Sequence, residues 1–117
     1  MGKLTNVKQE EVADVLSDTV TLIASGAIPN VSGTVNLTNN TGVIAATFAN
    51  LKLGSEFLIR STIGTQAHTV TLPAGYTWDG TNNRVTLDSA SDFVLARVVS
   101  ANRLQVIASA TVAFSAI

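Results

Sequence analysis

Few side chains in this 117-residue sequence could do chemistry, and their spacing decides what chemistry that would be. His68 is the single histidine, and there is no cysteine. A metal site built on imidazole or thiolate needs several such ligands converging, and a thiol nucleophile needs a cysteine, so both classes fall away. No carboxylate lies near His68 in sequence, and it reads as a residue at a strand edge with no catalytic part. Asp79, Asp88 and Asp92 are the only carboxylates in the second half. A pair of carboxylates can cleave a glycosidic bond, one as acid and the other as base or nucleophile. Here, however, Asp79 precedes Gly80, while Asp88 and Asp92 flank Ser89-Ala90-Ser91. Aspartate favours such positions because its side chain accepts from nearby backbone donors, and turn-making is the role expected of all three. Calcium-loop, nucleophile-elbow, dinucleotide and Walker patterns do not occur. Catalytic, metal and cofactor-binding residues are therefore all expected to be none.

Two other groups are candidates for recognition. Tyr76 and Trp78 are two residues apart and share a face on a regular strand. Such surface aromatics either stack on a sugar or anchor a core edge or interface. Arg60, Arg97 and Arg103 stand within or beside apolar strands. A guanidinium there suits pairing with a carboxylate of another subunit better than a bare surface.

The elements that must position these residues read as short strands. The stretch from His68 to Ser109 alternates polar and apolar side chains in Thr69-Val70-Thr71-Leu72. It breaks at Pro73-Ala74-Gly75, resumes at Tyr76-Thr77-Trp78 and turns at Asp79-Gly80 and Asn82-Asn83. It then runs through Arg84–Leu87, Phe93–Val99 and Arg103–Ile107, a meander of strands and tight turns. Upstream, strands are expected at Thr19–Ile23, Gly33–Thr38, Val43–Phe48 and Glu56–Ser61, with a separate one at Thr111–Phe114. The recurrent Val-Thr-Leu at 20–22, 70–72 and 85–87 has no constant period, so no solenoid is inferred. Eight to ten strands in one sheet would leave a whole apolar face in water. The fold expected is an all-β sandwich with jelly-roll-like or barrel character.

Residues 1–18 differ, holding six of the fifteen charged residues. They read as an N-terminal arm or short helix ahead of a β domain at 19–117, with Val12, Val15 and Leu16 on one face at helical spacing. No secretory signal is visible, so three Asn-x-Ser/Thr matches carry no meaning. The tail from Leu104 to Ile117 is too short and too polar to cross a bilayer. The expectation is a soluble chain made in a cytoplasm, with no membrane partner. Net charge is −1 and the basic residues are scattered from Lys3 to Arg103, which excludes phosphate-driven nucleic-acid binding. Only 13% of residues are charged, about half the usual share, and 46% are apolar. So little like-charge repulsion favours self-association or attachment to another surface.

The run HTVTLPAGYTWDGTNNRVTLDSASDFVLARVVSANRLQVIAS, with the preceding GTVNLTNNTGVIAATF, resembles small virion proteins of tailed bacteriophages. The likeness covers Gly33 to Ser109 and extends to head decoration (cement) proteins, head fibres and short tail-associated proteins. It implies a non-enzymatic β module that binds the outside of a phage capsid and bridges subunits of the major capsid protein. The localisation implied is the virion exterior, and the self-association expected is a homotrimer, with a dimer as runner-up. On that reading the arm faces the coat through Leu4, Val7, Val12 and Leu16, while Val112, Phe114 and Ile117 of the apolar tail lie between subunits. A fibre or tail-associated module gripping receptor sugars through Tyr76 and Trp78 is the alternative.

Overall fold

A computed structural model describes residues 18–29, 32–49, 51–62 and 66–117. The contacts assigned to Leu4, Val7, Val12 and Leu16, and the arm they belong to, lie outside the described residues. Ten strands follow in chain order: β1 (Thr19–Leu22), β2 (Gly26–Ile28), β3 (Gly33–Leu37), β4 (Ala45–Phe48), β5 (Glu56–Ser61), β6 (His68–Thr71), β7 (Arg84–Leu87), β8 (Phe93–Ser100), β9 (Arg103–Ala110) and β10 (Ala113–Ser115). They form two five-stranded mixed sheets, β1-β3-β5-β8-β9 and β10-β7-β6-β4-β2. The sheets pack as a sandwich, as the strand count and alternation require.

The connectivity departs from a meander or an antiparallel jelly roll. The first six strands alternate between the two sheets, so that β1, β3 and β5 lie parallel in one while β2, β4 and β6 lie parallel in the other. Parallel neighbours need a long crossover, ordinarily a helix. Here each crossover is a strand of the opposite sheet, and the chain winds in stacked coils like those of a two-sheet solenoid. Gly33 pairs with Phe57 and Ala45 with Thr69, both 24 residues apart. Between β1 and β3 the spacing is 15, with Thr19 opposite Thr34. Unequal coils explain why the sequence shows no constant period although the strands stack. From β6 onward the ladders are antiparallel. The stretch from His68 to Ser109 is not one continuous meander, because β6-β7 and β8-β9 belong to different sheets.

Burial alternates along the strands. Val35, Leu37, Phe57, Ile59, Val94, Ala96, Val98 and Leu104 face inward from the first sheet. Ile28, Ala46, Phe48, Val70, Val85 and Leu87 meet them from the second. Removing this set from water supplies the main drive to fold, at about 25 cal/mol per Å² of apolar surface. Tyr76-Thr77-Trp78 does not form a strand of its own. Thr77 makes one isolated parallel bridge to Arg103, and its backbone exchanges hydrogen bonds with Asn102 (3.1 Å) and Leu104 (2.9 Å). The turn before it needs Gly75, whose φ of 91° lies in the left-handed region and whose neighbour Tyr76 donates to the Pro73 carbonyl at 3.0 Å.

Candidate interaction face

Trp78 is 1% exposed, so it is not a surface aromatic. The 72–83 connection carries its indole in among Phe48 and Phe114, with ring centroids 6.5 and 6.3 Å away. Burial wins because β9 and β10 end their respective sheets, and the gap between those ends would otherwise expose core. Tyr76 is half-buried against the same cluster, so the pair presents no stacking platform. Val112 and Phe114 likewise pack on the core of their own chain, while Ile117 is 70% exposed. Of the three tail residues assigned to subunit contact, only Ile117 presents an open side chain.

His68 is not at a sheet edge. It opens β6, between β4 and β7, and is fully buried. Its Nδ1 accepts the Ile44 N–H at 2.9 Å, which places the proton of the neutral ring on Nε2. Burial pushes the His68 pKa down, partly offset by the Asn39 backbone carbonyl. Asp79 and Asp92 make turns, as the sequence predicts. Asp79 accepts from the Thr81 and Asn82 backbone N–H groups at 3.0 and 2.8 Å, and the Asn82 bond leads in holding its carboxyl below the usual range. Asp92 is fully buried and accepts from the Asp88 N–H (2.9 Å), the Ser89 N–H (3.2 Å), the Ser89 hydroxyl (2.8 Å) and the Thr111 hydroxyl. Burial alone would raise its pKa, but bonds from Thr111, Ser89 and Asp88 outweigh it and the net shift is downward. Asp92 thus ties the β7–β8 turn to Thr111, which links β9 to β10 and has φ of 53°. Among the described residues, no three histidine or acidic side chains group as metal ligands.

What the geometry does bring together is the outer face of the first sheet. The register sets Thr34, Leu58 and Leu95 side by side across β3, β5 and β8, with Ala108 of β9 next in line. A second row runs Asn36, Arg60, Phe93 and Ala110. Leu58, Phe93 and Leu95 point away from the core yet carry large apolar groups, where a solvated sheet face would be polar. Val99 and Ile107, 43% and 51% exposed, extend the apolar character along β8 and β9. The other sheet's outer face differs. It carries Ala45, Thr47, Thr69, Thr71, Thr86 and Arg84.

Arg60, Arg97 and Arg103 divide. Arg97 Nε approaches Glu56 at 4.0 Å on the same face. Arg103 lies over the Asp79–Gly80 turn: a Cβ at Gly80 would meet its guanidinium at 3.5 Å, and its charge adds to the lowering of the Asp79 pKa. Arg60 faces no carboxylate within ion-pair distance among the described residues, and its Nε donates to Asn36 Oδ1 at 2.6 Å. Beside it, Leu58, Arg60, Ala90, Ser91, Asp92 and Phe93 line an open depression of about 310 Å³. Sequence reading placed the arginines beside apolar strands but missed this apolar row. The signal was Leu58 between the inward Phe57 and Ile59, and Leu95 between Val94 and Ala96.

Compared with protein-family models, curated proteins and solved structures, the chain matches none of them.

Proposed function

We propose that this chain is a non-enzymatic structural protein of a tailed-phage virion, which binds the outer capsid surface and stabilises the lattice by bridging coat subunits. The observation that carries the reading is the outer face of β3-β5-β8-β9, where half-buried Leu58, Phe93 and Leu95 adjoin the exposed Val99 and Ile107 on a surface that water alone would not select. The resemblance of Gly33–Ser109 to phage virion proteins supplies the partner, and the low charge of the chain favours adhesion. Self-association as a homotrimer lets one assembly touch several coat subunits at once. Linked contacts of that kind raise overall affinity by about 10²–10⁴ over one contact. A fibre module that stacks sugars on Tyr76 and Trp78 is less favoured, since the indole is in the core.

The test is to add the purified chain to capsids assembled without it and image both by electron cryomicroscopy. Density for the sandwich at fixed lattice positions is expected, together with a trimer by light scattering. Bare capsids at saturating protein, or virions purified from infected cells that lack the chain, would refute the proposal.

A further inference from the structure

We infer that the depression between Leu58, Phe93 and Arg60 receives a large apolar side chain followed by a carboxylate, both presented by a peptide segment of the coat partner. The inference rests on the reading of this face as an attachment surface and names what it recognises.

A volume of about 310 Å³ holds one or two side chains and is at the small end for a cofactor. Its apolar floor comes from Leu58 and Phe93 on adjacent strands, with Arg60 the register partner of Phe93. Such a floor desolvates an aliphatic or aromatic group.

The charge requirement follows from Arg60. Asn36 Oδ1 takes the Nε hydrogen, so the side chain is held, and among the described residues the two terminal nitrogens remain as the fork that a carboxylate matches. Arg97 and Arg103 stand near acidic groups of their own chain and do not offer the same vacancy. Asp92 lines the same depression, but it is fully buried and its oxygens already accept four hydrogen bonds. It therefore supplies wall and does not occupy Arg60. A lone guanidinium beside an apolar floor also argues against a polyanion, which needs several cations together.

Blocked dipeptides provide the probe. Full-length protein is titrated with N-acetyl-Leu-Asp-amide, N-acetyl-Leu-Asn-amide and inorganic phosphate while backbone and arginine Nε resonances are followed by NMR. The expected result is perturbation at Leu58, Ser91, Phe93 and the Arg60 Nε, with the aspartyl peptide bound about two- to fivefold more tightly than the asparaginyl one. Arg60→Gln should abolish that preference and leave the asparaginyl peptide unaffected, while Leu58→Thr should weaken both. Unshifted core resonances report that each variant is folded. Equal binding of the two peptides, perturbation confined to other residues, or phosphate bound more tightly than either peptide would overturn the inference. Peptide selectivity with no capsid binding would overturn the capsid reading alone. Capsid binding that survives Arg60→Gln and Leu58→Thr combined would overturn the recognition proposed here alone.

Discussion

Replacing Asp92 with alanine should cost about 4 kcal/mol of folding stability. The carboxylate accepts four hydrogen bonds and has no exposure to water. Bonds to a charged group are worth roughly 1.5–3 kcal/mol each when the donor cannot turn elsewhere. The Asp88 and Ser89 backbone N–H groups are so confined, and counting each near the low end gives about 3 kcal/mol. The Ser89 and Thr111 hydroxyls sit nearer solvent and can turn to water once the carboxylate is gone, so each adds only about 0.5 kcal/mol. Against a total stability of roughly 5–15 kcal/mol, the loss lowers the melting temperature by about 15 °C. Urea denaturation followed by Trp78 fluorescence reads it directly, and Thr111→Val, which takes a leading donor from a carboxylate that stays buried, should cost about 1.5 kcal/mol. The pH dependence adds an independent check. Asp92 has a folded pKa below its unfolded one. Its contribution is thus present above the unfolded value near ~3.9 and fades as pH falls through the folded value. Asp92→Asn should shrink the acid limb, leaving the part that Asp79 contributes. A loss below about 1 kcal/mol for the alanine variant, or an acid limb unchanged in Asp92→Asn, would refute the account of this carboxylate as a structural tie.

Trp78→Ala should cost about 3–5 kcal/mol in a denaturant melt, because the indole fills the space beside Phe48 and Phe114. Native emission should be that of a buried indole. His68 has a folded pKa below its unfolded one, so the unfolded chain takes up the proton first. Stability should hold above ~6.5 and decline as pH falls from there toward the folded value, and His68→Gln should flatten that slope in melts at neutral and mildly acid pH.

Alternation at β3, β5, β6, β7 and β8 was plain in the sequence because each strand has one face on the core. Val35 and Leu37, or Val70 with its flanking threonines, can sit in register only one way. The turn role of Asp79 was equally legible, since its bonds reach only two and three residues along the chain. Partners far along the chain left no such trace. The stacked contacts Asn36–Arg60 and Ile44–His68 each span 24 residues, yet the stacked pairs share little residue identity. A coil conserves which way a side chain points more than what it is, and the first coil is shorter than the next. Trp78 misled for a related reason. Two-residue spacing puts two side chains on one face only if the segment is a strand, and here a loop stitched to β9 turns the indole inward.

The winding also explains why the apolar row lies where it does. β5 is the seam of the first sheet, parallel to β3 on one side and antiparallel to β8 on the other. Leu58 and Arg60 therefore project from a strand whose backbone is paired along both edges, flanked by residues from the coil stack and from the antiparallel end. An interface loses affinity to every side chain and loop that must be ordered on binding. Arg60, held by Asn36 of the preceding coil, and Leu58, set between Thr34 and Leu95, have little left to order. Contacts built on an edge strand or a loop such as 72–83 would lack that advantage. On these grounds the seam, and not the aromatic loop or the chain's tail, is where the proposed partner would gain most from docking.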